Sequence, residues 1–279
     1  MVPRRPPRHG RGDAGPVSLA LWGRRKPAVT GHWIYGRHPV AAALANPERR
    51  WRRLAVLAGQ EAEARTLVAE AAARRGPEGE PIRVLDQAGL AAILPSGAVH
   101  QGLALAVEPL VPHDLEDVLE QAQTAPGRNV IVALDQVGDP HNVGAVLRSA
   151  AAFGAGAVLI AAHGAPPVDG ALAKAASGAL ERVPLVHVVN LSRALDRLKL
   201  ARFWVCGLDE TAPQPLAALD LGRCVAIVLG SEGNGLRRLV RERCDYLARL
   251  PTLPAQPTLN VSNAAAAALY ELVRGAAPG

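Results

Sequence analysis

From residue 130 onward, short runs that are apolar throughout alternate with segments whose apolar residues recur at helical spacing. The runs VIVALD (130–135), GAVLIA (156–161), VPLVHV (183–188), RFWVCGL (202–208), CVAIVLG (224–230) and YLARLP (246–251) predict strands. Between and after them, NVGAVLRSAAAFG (142–154), GALAKAAS (170–177), LSRALDRLK (191–199), GLRRLVRER (235–243) and VSNAAAAALYELV (261–273) predict helices. Strands apolar on both sides, linked by helices, predict an α/β fold whose mostly parallel sheet is covered on both faces.

Before residue 125 the elements are shorter. RRLAVLA (52–58), PIRVL (81–85) and GLALAVEPL (102–110) predict strands. EAEARTLVAEAAARR (61–75) predicts a helix that Gly76, Pro77 and Gly79 stop. HDLEDVLEQAQ (113–123) predicts a linking helix, and APGRN (125–129) breaks the chain after it. The expected organisation is an arm over 1–30, a small α/β domain over 31–110, a linker over 111–126 and a larger domain over 127–279.

Composition refines this picture mainly at the arm. Residues 1–30 hold seven cations and one anion, an excess of six that equals the formal charge of the whole chain. A basic arm rich in Pro and Gly is expected to be disordered and drawn to polyphosphate. An organellar transit peptide would share that charge, but Pro3, Pro6, Pro7 and Pro16 interrupt the amphipathic helix it needs. Aromatic residues make up 3% of the chain, which argues against a platform that stacks single-stranded bases. The cysteines, Cys206, Cys224 and Cys244, form no CxxC pair, and no secretory apolar region stands near the start. Reduced thiols in a cytoplasmic protein are expected. The apolar stretch 141–160 comes nearest to a membrane span, but Arg148 interrupts it. The histidines show no HExxH spacing and no cluster with cysteine, so no metal is expected.

Three stretches carry candidate chemistry. In DQVGDPHNVGAVLRSA a polar turn leads from a strand to a helix, with Asn142 at the expected N-cap and Arg148 as the one charge among Val, Leu and Ala. A guanidinium stays ionised, so Arg148 needs a cleft, an anion or a carboxylate partner. In LGSEGNGL the glycines permit a sharp turn, but their order is neither the dinucleotide fingerprint nor a P-loop. Glu232 within that turn repels anions and suits a cation, either Arg148 or a positively charged cofactor. In LPTLPAQPTLNVSN, Thr258 and Asn260 are polar residues in an apolar loop, and Ser262 is the expected N-cap of the alanine-rich helix that follows. Without GxSxG, hydrolase chemistry lacks its nucleophile elbow.

Taken together, DPHNVGAVLRSAAAFGA, LGSEGNGL and LPTLPAQPTLNVSNAAAAALYE resemble, in order and spacing, the three motifs of the SpoU (TrmH-type) family of RNA 2′-O-ribose methyltransferases. KAASGALERVP (174–184) resembles a further family segment. WIYGRHPVAAAL (33–44) and SGAVHQGLALAVEP (96–109) are similar to the family's small ribosomal-protein-like (L30e-like) RNA-binding domain. That pairing most resembles the branch that methylates a guanosine ribose in the peptidyl-transferase region of 23S rRNA.

The resemblance implies a C-terminal SPOUT-type α/β trefoil-knot domain, an exception to the rule that chains do not thread loops. It implies S-adenosylmethionine (SAM) as cofactor, 23S rRNA or a pre-ribosomal large subunit as partner, and a homodimer in the cytoplasm with no membrane. It places Asn142, Arg148 and Glu232 at the catalytic positions, and Leu229, Gly230, Leu250, Thr258, Leu259 and Asn260 around the cofactor. Arg148, Arg37, His100 and Gln101 fall among the RNA-binding positions. Two residues depart from the family pattern: Thr258 stands where Ser is usual, and Asn263 where an apolar residue is common. The alternatives are a tRNA or other rRNA 2′-O-methyltransferase, a non-catalytic RNA-binding assembly protein, and a nucleotide-dependent oxidoreductase.

Overall fold

A computed structural model describes residues 32–76, 82–253, 255 and 258–274, all within one unit spanning Gly31–Gly279. The basic arm lies outside the described residues.

The first half builds β1 (His32–Tyr35), α1 (Arg37–Ala45), β2 (Trp51–Leu57), α2 (Glu61–Arg75), β3 (Arg83–Leu85), α3 (Gln87–Ala92) and β4 (Leu103–Val107). Its four strands run in the order β1-β4-β2-β3, with β4 antiparallel to both neighbours and β3 parallel to β2. The apolar pattern of the sequence does not reveal α3. It starts from a cap, with Asp86 Oδ1 accepting from Gly89 N at 2.7 Å.

After α4 (Leu115–Thr124) come β5 (Asn129–Leu134), α5 (Pro140–Ala152), β6 (Ala157–Ala161), α6 (Gly170–Ala176), β7 (Leu185–Val188), α7 (Leu191–Leu200), β8 (Trp204–Leu208), β9 (Cys224–Leu229), α8 (Arg238–Arg243), β10 (Tyr246–Ala248) and α9 (Val261–Val273). The strands form one sheet in the order β10-β8-β9-β5-β6-β7, and every pair is parallel. Each predicted strand and helix of this half is present.

The continuous apolar runs have a direct cause. Successive strand residues point to opposite faces, and both faces here are covered. Val130, Val132 and Leu134 of β5 join the core beneath α5, α6 and α9. Ile131 and Ala133 join the core beneath α4, α7 and α8. On α9, Val261, Ala265, Ala268, Leu269 and Leu272 form the buried stripe, as its alanines suggested. Gly144 sets how closely α5 and α6 approach, since a Cβ there would lie 2.5 Å from Ala175 Cβ.

Both expected helix caps are corrected. α5 is capped by Asp139, whose Oδ1 accepts from His141 N at 3.1 Å, and Pro140 follows at the first helical position. Asn142 therefore lies inside the first turn. α9 is capped by Asn260, whose Oδ1 accepts from Ser262 N at 2.9 Å, so Ser262 is already helical. In each case a polar residue two or three positions earlier reached the free N–H groups first.

The cysteines are free. Burial pushes the Cys206 and Cys244 thiols up to about 12, so both stay protonated at neutral pH. Among the described residues no helix is long and apolar enough to cross a membrane, and no His/Cys/Asp/Glu group is placed to hold a metal.

One buried ion pair ties the two halves together. Arg49, between α1 and β2, meets Glu181 at 2.8 Å with both side chains 3% exposed. Asn46 Nδ2 donates to the other carboxylate oxygen at 2.9 Å, and Arg49 Nη1 donates to Glu108 O at 2.8 Å. Removing one partner of such a pair strands the other charge. Glu181→Ala is expected to lose about 3–5 kcal/mol, read as the urea unfolding free energy. The double variant Arg49→Met/Glu181→Leu is expected to recover most of that loss.

Candidate active site

The carboxyl ends of β8, β9 and β10 are neighbours in the sheet, and outside them lies a cavity of about 650 Å³. Crevices at the carboxyl ends of parallel strands are where α/β sheets take ligands. Its walls are the residues leaving β8 (Asp209, Glu210, Thr211), the turn after β9 (230–236), the segment after β10 and the approach to α9.

The turn after β9 folds back sharply. Gly235 N donates to Ser231 O at 3.0 Å, and a Cβ at Gly230 would overlap the Gly235 carbonyl. Only glycine fits at 230. The far end of the turn is latched to the end of β5 by Asp135, which is fully buried. Its carboxylate accepts from Arg237 N at 2.8 Å and Arg237 Nε at 2.8 Å, and pairs with Nη2 at 2.6 Å.

At the cavity mouth three distant stretches meet. Glu232 Oε1 accepts from Asn142 Nδ2 at 3.2 Å and from Asn260 Nδ2. Asn260 Nδ2 also lies 3.0 Å from Asn142 Oδ1. Asn260 thus caps α9 through its oxygen and joins this cluster through its nitrogen. Leu229, Gly230, Leu250, Thr258, Leu259 and Asn260 all line the cavity, as does Glu232.

Arg148 is elsewhere. The pairing of Glu232 with Arg148 does not form. Six residues along a helix advance about 600°, leaving the Asn142 and Arg148 side chains about 120° apart. Asn142 turns to Glu232, while Arg148 is exposed on the outer face of α5, without a hydrogen-bond or ion-pair partner among the described residues. The helical period had placed it among apolar neighbours in sequence, not in space.

A family model described as the SpoU rRNA Methylase family matches residues 129–270, and a second, described as RNA 2′-O ribose methyltransferase substrate binding, matches residues 33–112. The chain belongs to the SpoU rRNA methylase family. It is 40% identical over 247 residues to the 23S rRNA (guanosine-2′-O-)-methyltransferase RlmB of Xylella fastidiosa (strain 9a5c), covering 87% of this chain and 96% of that one. The protein of the same name from Pseudomonas aeruginosa is 38% identical over 250 residues, covering 88% and 97%. Among solved structures, the SpoU methyltransferase AviRb from Streptomyces viridochromogenes in complex with the cofactor AdoMet superposes with a TM-score of 0.71 at 24% identity, covering 91% of this chain and 94% of that one. This SpoU-family chain therefore has the SpoU methyltransferase fold, in agreement with the sequence reading.

The expected RNA-binding residues of this SpoU-family chain form a separate group. Gln101 Oε1 accepts from Arg37 N at 3.3 Å and from Lys174 Nζ at 2.7 Å. Arg37 pairs with Glu63 at 2.6 Å, and His100 Nδ1 accepts from Gly102 N at 3.0 Å. None of Arg37, His100 and Gln101 lines the cavity.

Sequence reading missed Asp135, Arg237 and the acids after β8. Asp209 pairs with Arg241, and both line the cavity. The available signal was an acid directly following an apolar strand, at VALD and at CGLD. Asp135→Ala leaves the Arg237 backbone N–H and guanidinium unsatisfied. It is expected to lose about 1–3 kcal/mol of unfolding free energy; an unchanged urea midpoint would show that the latch holds nothing.

Proposed function

We propose that this chain transfers the methyl group of SAM to a ribose 2′-hydroxyl of RNA, with a guanosine of 23S rRNA as the target. The observation that carries this reading is the junction of Asn142, Glu232 and Asn260 at the mouth of a cavity lined by every residue assigned to the cofactor. The relatives named 23S rRNA (guanosine-2′-O-)-methyltransferase, similar over 96–97% of their length, support the base and the RNA.

The cavity residues fit SAM. Its volume of about 650 Å³ lies in the usual range for small-molecule sites. Leu229, Leu250 and Leu259 offer apolar walls, while Glu210 and Glu232 suit a cation and Asp209 is taken by Arg241. Ser231 Oγ is buried without a hydrogen-bond partner among the described residues and lines the same space. A buried hydroxyl without a partner marks a place for a ligand's polar group. When bound, SAM supplies a methyl group made electrophilic by its sulfonium.

The residues of the chain then position and stabilise. Asn142 and Asn260 hold Glu232 at the cavity edge, and Gly230 lets the backbone come close. Arg148 presents an uncommitted guanidinium from the outer face of α5, where it binds the RNA backbone and lowers the cost of negative charge on the 2′-oxygen. A guanidinium stays protonated, so this role is electrostatic rather than proton-accepting: as the O–CH3 bond forms and the S–CH3 bond of SAM breaks, the 2′-hydroxyl proton passes to solvent. Thr258 keeps the hydroxyl of the usual Ser.

The substrate is 23S rRNA or an assembling large subunit, met in the cytoplasm. A homodimer is part of the proposal. It is supported by Tyr270 of α9, an aromatic side chain 57% exposed that stands against the half-buried Phe153 at 6.2 Å.

The decisive measurement maps 2′-O-methylation on ribosomal RNA with and without the protein. Arg148→Ala is expected to bind SAM with wild-type affinity yet lose about 10²–10³-fold in methyl transfer. Near-normal turnover of labelled SAM on rRNA by that variant would sink the assignment of Arg148.

A further inference from the structure

We propose that Lys174 is an RNA phosphate contact, placed on the methyltransferase side of the seam where the 31–110 segment meets α6. The proposal rests on the RNA reading above and adds a residue to it. Lys174 lies in the last turn of α6, yet its ammonium reaches across to Gln101 Oε1 at 2.7 Å. The Lys174 side chain lies along the turn at Gly36. Gly36 has φ +96°, and a Cβ at that position would overlap Lys174 Nζ.

No carboxylate answers the Lys174 charge among the described residues. Its partner Gln101 is neutral. The other described lysine, Lys199, pairs with Asp245 at 3.3 Å. Burial lowers the Lys174 ammonium from its ordinary value, the direction expected of a cation with no compensating charge. A partly desolvated cation held only by a neutral amide oxygen is unfavourable alone and favourable once an anion arrives. The Arg37 guanidinium nearby is already neutralised by Glu63 at 2.6 Å, so Lys174 is the cation left without a carboxylate here. In a chain that acts on RNA, the anion available to Lys174 is the phosphodiester.

The position also has mechanistic use. Ala175, next in sequence, packs against Gly144 of α5, the helix that carries Arg148. Packed helices lie roughly 8–10 Å apart. A strand held at Lys174 by one phosphate is therefore within a few nucleotides of Arg148.

A purely structural role, stapling α6 to Gln101, predicts different behaviour. The test is the affinity of the full chain for a 23S rRNA fragment, measured across a series of KCl concentrations. Each phosphate contact contributes roughly 0.7–0.9 to the slope of log affinity against log salt. Lys174→Gln is expected to lower the slope by about that amount, with an unchanged thermal midpoint. Lys174→Arg keeps the wild-type slope. A wild-type slope in Lys174→Gln, or an equal loss of affinity at all salt concentrations, overturns the proposal. A wild-type chain with no salt-dependent binding would instead overturn the RNA reading, and this contact with it.

Discussion

Glu232 Oε1 accepts hydrogen bonds from Asn142 and Asn260, residues 90 and 28 positions away in the chain. These links bring the β5–α5 turn, the turn after β9 and the entry to α9 to one point. The sheet makes that possible. β9 lies between β5 and β8, and β10 flanks β8, so the polar turns that follow these strands open on the same edge. Because every strand is parallel, all these turns come at carboxyl ends. The Asp135–Arg237 latch fixes the far end of the glycine turn, leaving Glu232 little freedom except toward the two asparagines.

The same economy governs charge in the rest of the molecule. Fully buried charged groups are few, and each is committed: Arg49 to Glu181, Asp135 to Arg237. Arg148 and Lys174 are not committed to any carboxylate among the described residues. Cations without an internal carboxylate are free to meet an external anion. In the proposed reading one of them faces the reacting ribose and the other grips the strand, with α5 and α6 packed together between them.

Much of the larger sheet was legible because burial on both faces leaves a direct trace. A strand such as VIVAL, apolar at every position, cannot be a half-exposed edge. The helices were legible through their periodicity, although α3, QAGLAA, buries only Leu90 and so shows none. The caps were misplaced because capping depends on which oxygen reaches the N–H groups. Asp139 and Asn142 are both good cap residues, and their spacing in sequence does not say which one faces the helix end.

The family motifs and their order were determined by the sequence itself, and with them the candidates Asn142, Arg148, Glu232 and Asn260. Whether those residues touch was decided only by the tertiary structure. Sequence placed Asn142 and Arg148 together on one helix, where the 3.6-residue turn sends them to different sides. It placed Asn142 and Asn260 118 residues apart, where strand order brings them to 3.0 Å. Lys174 shows the same limit. It is an ordinary residue within an alanine-rich helix until the packing of α6 against the 31–110 segment carries its ammonium across to Gln101. Helical rotation, strand order and packing are properties of the folded chain, so contacts between distant polar side chains appear only there.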